Sequence, residues 1–385
     1  MNILYCIPHL YNTGGMERVL TQKVNWLVTH TEHTYTILTT ECAPEGVAPV
    51  CFPLDPHVQV VHLNIDFNAD YDKPLFTKWC GHMRRMRAYK QALQAYIKEN
   101  KVDLCISLCG KEIAFLRHLP CRTIAELHFA KDQRRQLLEA NHHGGLWSLL
   151  GRIRTWQLVH AVKPLERLVV LTEKDQADWQ QAGCKNVTVI PNVCSLDGQE
   201  IPMKPKKKIV LAVGRLHEQK GFDLLLQAWQ EIEKHHADWT LRIVGEGEQR
   251  ELLTQQMTHL NLHHVELAGR SSDMLTEYTN ASLFVLSSRY EGLPLALIEA
   301  MWSVTPSIAF DCPHGPSELL ADHRGWLVPN GDIPALSTQI EYVISHPDEA
   351  AQRARNAQVF AQVTYSEATI MPQWVQILSH ASNIR

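Results

Sequence analysis

The chain has 385 residues, 45% hydrophobic and 20% charged, enough for two domains with full cores at roughly 100 to 200 residues each. This excludes disordered and fibrous classes, and a net charge of -4 gives no overall reason to expect nucleic acid as a partner. The total hides an asymmetry, because residues 78 to 154 hold fifteen Lys or Arg against six Asp or Glu. Ten cysteines, among them Cys6, Cys42, Cys80 and Cys312, form no CxxC pair, as in a reduced cytoplasmic protein. No run of about 18 apolar residues and no basic leader occurs, so the protein is expected to be soluble or to lie on a membrane without crossing it.

Short β-rich runs alternate with amphipathic stretches, which predicts parallel sheets covered by helices. Strands are expected at Ile3 to Ile7, Tyr35 to Thr39, Val58 to His62, Leu104 to Ser107, Thr123 to Glu126, Leu168 to Leu171 and Val187 to Ile190. Pro191-Asn192 ends this series, and residues 196 to 208, with Pro202, Pro205 and Lys206-Lys207-Lys208, read as a linker. A second series follows: strand Ile209 to Val213, helix Phe222 to Lys234, strand Leu241 to Val244, helix Gln249 to His259 and strand Leu283 to Leu286. Helix Leu295 to Met301 and strands near Pro306 to Phe310 and Trp326 to Val328 come next, then helices to the end. The fold class is α/β, with doubly wound domains over 1–195 and 196–365 and a C-terminal helix, 366–385, returning to the first. Such sheets bind ligands beyond the carboxyl ends of their strands, which makes the cleft between the domains the expected site.

Four strand-to-helix turns carry candidate chemistry. In Asn12-Thr13-Gly14-Gly15-Met16, paired glycines allow close approach to a ligand and the helix start offers N–H groups to an anion. In Gly214-Arg215-Leu216-His217-Glu218-Gln219-Lys220-Gly221, a guanidinium and an ammonium bracket a loop able to clamp a diphosphate. The turn Val244-Gly245-Glu246-Gly247 is weaker, since parallel α/β folds use glycine there for geometry alone. The fourth, Glu291-Gly292-Leu293-Pro294-Leu295 with Glu299 eight residues on, puts backbone N–H groups of residues 292 to 295 beside a carboxylate. Glu299 sits in an apolar run, so it must accept hydrogen bonds, for example from ribose hydroxyls.

In order and spacing these motifs resemble the retaining GT-B glycosyltransferases of family 4, over nearly the whole chain. The resemblance implies two Rossmann-like domains, with a nucleotide sugar held mainly by the second. It assigns Arg215 and Lys220 to the diphosphate, Glu299 to the ribose, Glu291 to the donor sugar near its anomeric carbon, and main chain near Arg270 and Ser271 to the base. His128, in Glu126-Leu127-His128, matches a histidine lining the sugar site, and Asn192 matches an interdomain asparagine. Two departures stand out: Trp302-Ser303 replaces a small residue after the second motif, and Cys312-Pro-His314-Gly-Pro-Ser317 replaces a glycine-rich loop. A same-face attack assisted by the leaving phosphate is the mechanism that the resemblance carries.

No cofactor and no metal are expected. Asp66-Phe67-Asn68 is not a DxD motif, and Arg215, Lys220 and a helix N-terminus can neutralise the leaving diphosphate. A UDP-linked donor is favoured, with a lipid-linked oligosaccharide or polysaccharide acceptor of bacterial surface glycans. The basic stretches 82–90 and 131–135, including Arg84, Arg85, Arg87, Lys131, Arg134 and Arg135, are candidates for an anionic membrane surface or a polyprenyl diphosphate. Two other readings remain: a UDP-sugar epimerase, and a non-catalytic scaffold subunit.

Overall fold

The computed structural model describes residues 1–67, 69–70, 72–133, 135–136, 145–202 and 204–382. The chain divides into two compact units, Met1–Pro191 with Ile370–Arg385, and Asn192–Thr369.

The first unit is built on seven parallel strands, β1 (Asn2–Ile7), β2 (Thr34–Thr39), β3 (Gln59–His62), β4 (Leu104–Ser107), β5 (Arg122–Glu126), β6 (Arg167–Val170) and β7 (Val187–Val189), in the order β3-β2-β1-β4-β5-β6-β7. Central strands such as Leu104-Cys-Ile-Ser107 are buried on both faces, which is why they read as continuous apolar runs rather than alternating ones. Four helices named here cover this sheet: α1 (Gly15–His30), α2 (Leu75–Glu99), α3 (Gly145–Val162) and α4 (Glu173–Gln181). Tyr89, Leu93 and Ile97 of α2 recur at helical spacing and pack with Leu4, Cys105 and Leu116 in one core. None of the ten cysteines is in a disulfide.

The second unit carries six parallel strands, β8 (Lys207–Val213), β9 (Thr240–Val244), β10 (Val265–Gly269), β11 (Ala281–Leu286), β12 (Ser307–Asp311) and β13 (Trp326–Pro329), in the order β10-β9-β8-β11-β12-β13. Its helices are α5 (Phe222–His235), α6 (Arg250–His259), α7 (Met274–Asn280), α8 (Leu295–Trp302), α9 (Pro316–Leu319), α10 (Ile333–Ser345) and α11 (Pro347–Thr364). The last helix, α12 (Glu367–Ser382), ends in the first unit, where the Trp374 ring lies 3.9 Å from Lys23 Nζ.

One expectation fails at the linker. Lys207 and Lys208 open β8, because the ladder with β11 starts at Ala281 opposite Lys207. Lys206 is drawn in as well, donating to the Ala281 carbonyl (3.0 Å) and Thr305 Oγ1 (3.3 Å), and burial lowers its ammonium to about 8. Strand β10 and helix α7 were not expected, although Val265-Glu-Leu-Ala-Gly269 ends on the kind of glycine that closed β8 and β9.

Candidate functional site

In the second sheet the strand order reverses between β8 and β11, and an open parallel sheet binds its ligand at the carboxyl ends of the strands flanking such a reversal. Val213, at the end of β8, leads into Gly214, Arg215 and Lys220, while Leu286, at the end of β11, leads into Ser287 to Glu291. The two loops meet: Lys220 Nζ lies 2.7 Å from Glu291 Oε1, with the Glu291 side chain only 7% exposed. Gly221 permits the approach, since it adopts a left-handed φ of 60° and a Cβ there would stand 2.1 Å from the Ser287 carbonyl oxygen. Ser287 Oγ donates to the Lys220 carbonyl at 2.8 Å, and Arg289 binds the Glu218 carbonyl and both carboxylate oxygens of Asp223. Those bonds to Asp223 hold Arg289 above the usual arginine range. Arg215 is exposed on the same loop.

The neighbouring loops are joined through backbone. Gly214 N donates to the Val244 carbonyl, Leu216 N to that of Glu246, and Gly245 N to that of Gly269, all within 3.0 Å. A Cβ at Gly245, whose φ is 149°, would come within 1.9 Å of the Gly214 oxygen, so glycine is required at this point. Arg270 and Ser271 follow β10 directly, with Arg270 exposed and Ser271 Oγ accepting from Asp273 N at 3.3 Å.

Beyond Glu291, Gly292 and Leu293 lead to Pro294, which caps α8 at its N-terminus. Proline has no N–H, so the 292 to 295 stretch carries three backbone donors, one fewer than expected, and of these only Leu295 belongs to the helix. The Cys312–Ser317 loop packs against this turn, since a Cβ on Gly315 would meet Pro294 Cδ at 2.5 Å. His314 in that loop is buried with a left-handed φ of 64°, and burial pushes the Cys312 thiol up.

Glu299 is buried on α8 and accepts from Tyr278 Oη at 2.8 Å on Oε2 and from Ser195 Oγ on Oε1. The partners expected from ribose are thus supplied at least in part by the protein. Neither Tyr278 nor Ser195 was singled out in the sequence, where nothing local ties them to a glutamate 21 or 104 positions away. Asn192, the first residue of this unit, is buried.

In the first unit Gly14 is the N-cap of α1, and a Cβ on it would stand 2.3 Å from Glu17 Oε2. Gly15 starts the helix, and buried Glu17 faces His9 Nδ1 at 3.0 Å. Burial alone would lower the His9 imidazole, but the hydrogen bond and charge of Glu17 outweigh it and raise it. At the end of β5, Glu126 receives Lys23 Nζ at 2.6 Å on Oε1, and His128 Nε2 lies 3.1 Å from the same oxygen. All three side chains are at least 95% buried, and Lys23 also faces the rings of Trp374 and Tyr5. Glu126 thereby fixes the His128 ring just past a strand end.

The basic stretches are partly used within the fold. Arg85 pairs with Asp70 at 2.7 Å, Lys131 donates to the Asp178 carbonyl at 3.1 Å, and Arg135 lies 3.8 Å from Asp132. Arg84 and Arg87 remain exposed, while Arg134, like Asn68 of the Asp66-Phe67-Asn68 run, lies outside the described residues.

With this geometry in place, residues 197–360 match the family model described as glycosyl transferases group 1. The chain is 32% identical over 59% of its length to an uncharacterized glycosyltransferase of Haemophilus influenzae, and 32% identical over 56% to the amylovoran biosynthesis glycosyltransferase AmsD of Erwinia amylovora. These alignments span 65% and 62% of the two relatives, less than two thirds of their own length. At 26% identity over 100% of the chain and 99% of the relative, it is similar to an α-1,4-N-acetyl-D-galactosaminyltransferase of Campylobacter jejuni named for a GalNAc-GalNAc-diNAcBac-PP-undecaprenol substrate. Among solved structures, sucrose-phosphate synthase of Thermosynechococcus elongatus superposes with a TM-score of 0.79 at 18% identity, covering 100% of both chains. Anabaena HepE in complex with UDP-glucose does so at 0.74 and 19%, covering 99% of this chain and 100% of that one. These likenesses establish the fold, two Rossmann-like parallel-sheet domains of the GT-B kind.

Proposed function

We propose that this protein is a retaining glycosyltransferase that moves a hexose or N-acetylhexosamine from a UDP-linked donor to a lipid-linked oligosaccharide or polysaccharide in bacterial surface glycan synthesis. The matched family and the named relatives support a hexosyltransferase. The observation that carries the site is the Lys220–Glu291 pair across the strand reversal of the second sheet, inside the matched region. An ammonium has three N–H donors; Glu291 takes one, which leaves capacity for a diphosphate oxygen. Arg215 adds a guanidinium, and the N–H groups at the start of α8 add partial positive charge, so the leaving diphosphate is neutralised without a metal. Glu291 then stands beside the donor sugar, Glu299 beside the ribose, and main chain at Arg270 and Ser271 beside the base. In the transfer the bond from the anomeric carbon to the β-phosphate oxygen breaks, and the acceptor hydroxyl oxygen bonds to that carbon on the same face. Its proton passes to the leaving diphosphate.

The relatives named for amylovoran and for undecaprenol-linked glycans support the acceptor class. The test is calorimetry with UDP- and GDP-sugars in the absence of added metal. Selective binding of one UDP-sugar, weakened in Arg215→Ala and Lys220→Ala, is the expected result. Binding indifferent to both cations overturns the clamp. Conversion of a bound UDP-sugar to its epimer, with no UDP released on adding acceptor, points instead to an isomerase.

A further inference from the structure

The basic stretch of the first unit suggested a charged patch, but large apolar side chains are exposed beside its cations. On α2, Leu75 is 85% exposed, Phe76 75%, Trp79 61%, and Met83, about one turn after Trp79, 39%. At about 100° per residue these four fall in one stripe roughly 100° wide, with exposed Arg87 at its edge and exposed Arg84 roughly 80° beyond it. Helix α3 repeats the design. Leu149, Leu150, Ile153 and Trp156 are exposed in a stripe roughly 120° wide, and exposed Arg152 and Arg154 flank it on either side. The helices are neighbours, since both pack on the turn Lys111–Ala114. Burial, and then the charges of Lys111, Arg154 and Arg85, lower the His82 imidazole of α2. No described helix is long and apolar enough to cross a membrane.

A water-facing helix has no reason to present Phe, Trp, Leu and Ile side by side, and large exposed apolar patches mark interaction sites. Two features choose the occupant. A tryptophan lies in each stripe, at a position suited to the headgroup level of a bilayer, and arginines border the apolar residues as they border helices lying in an anionic interface. We infer that the exposed faces of α2 and α3 together form a membrane-seating surface for an anionic bilayer, the apolar stripes entering the headgroup–acyl boundary and Arg87, Arg152 and Arg154 meeting lipid phosphates. Of the basic stretches 82–90 and 131–135 the surface uses Arg87, whereas Arg85, Lys131 and Arg135 are engaged within the fold. It stands independently of the donor chemistry.

The test is flotation of the full chain with phosphatidylcholine vesicles, with and without about one third phosphatidylglycerol. The wild type is expected to float with anionic vesicles, with a blue shift of tryptophan fluorescence. The variant F76S/W79S/I153S/W156S is expected to lose binding about tenfold or more, and R87E/R152E/R154E to lose it on anionic vesicles. Because all these positions are exposed, unchanged circular dichroism and urea unfolding serve as the folding control for each variant. A wild type that ignores both vesicle types, or apolar variants that float undiminished, overturns the inference. So does a wild-type dimer that W79S/W156S converts to monomer without any vesicle binding, which assigns the face to a second copy of the chain.

Discussion

Lys220 and Glu291 stand 71 positions apart in the chain, and their side chains meet at 2.7 Å where the order of the second sheet reverses. Each comes from the loop after one of the two strands at the reversal, so their pairing is a consequence of strand order rather than of local sequence.

Lys220→Ala is expected to weaken UDP-sugar binding by about 1.5–3 kcal/mol, roughly ten- to hundredfold, through loss of a charge-assisted bond to phosphate. The same change leaves the buried Glu291 carboxylate without its cation and lowers stability by about 1–3 kcal/mol. The double variant Lys220→Ala/Glu291→Gln should recover part of the stability and none of the binding. Calorimetry and urea unfolding on the three proteins measure both, and unchanged affinity in the single variant refutes the phosphate role.

Gly245→Ala places a methyl group 1.9 Å from the Gly214 oxygen, at a φ of 149° that L side chains rarely adopt. Relief requires the loops after β8 and β9 to separate, and overpacking of this kind costs about 1–3 kcal/mol. Donor affinity should fall together with thermal stability, since the displaced loop carries Arg215. A variant as stable and as tight-binding as the wild type contradicts the close packing.

Glu299 is held by Tyr278 and Ser195. Tyr278→Phe removes one of these bonds and is expected to cost about 1 kcal/mol in unfolding free energy. Glu299→Ala strands the buried tyrosine hydroxyl and should cost about 2–3 kcal/mol while also weakening the donor. If Glu299→Ala unfolds like the wild type and loses only donor affinity, the structural part of its role is absent.

Lys23, Glu126 and His128 give the first unit a defined acid sensitivity. Burial alone would raise the Glu126 carboxyl, but the charges of Lys23 and then His128 hold it at about 2, below the ordinary glutamate value of about 4.3. A depressed folded-state value contributes stability that is present above the unfolded value and lost as pH falls, so the loss belongs between about pH 4.3 and 2. Its size is on the order of 3 kcal/mol. Asp175 has the opposite sign: burial raises it to about 6, so its contribution is present below about pH 4 and lost as pH rises through 6. Lys23→Met should cost about 3–5 kcal/mol at neutral pH by leaving Glu126 uncompensated, and Lys23→Met/Glu126→Gln should restore much of it. Urea midpoints across pH 2 to 8 check both the slope and the rescue.

Much of the site was legible as a set of separate loops. The glycine turns after β1, β8 and β9 and the proline-capped start of α8 follow from local rules about where chains turn and helices begin, so Gly14, Gly245 and Pro294 stand where their neighbours placed them. The basic helix was legible as cations, but Arg85 was not legible as the partner of Asp70, 15 positions earlier across a loop. Equally hidden was the exposure of Leu75, Phe76, Trp79 and Met83, because their spacing is also that of a helix facing a core.

The sequence by itself determined most of the alternation of buried strands and amphipathic helices and the position of the glycine-bearing loops after β1, β8 and β9, because hydrogen-bonding pattern and side-chain period are local properties of the chain. Only the tertiary structure decided which loops become neighbours. It brought Lys220 to Glu291, Ser195 to Glu299 and Lys23 to Glu126 across 71, 104 and 103 residues. Those meetings depend on the order in which strands pair within a sheet, and no residue's neighbours along the chain record that order.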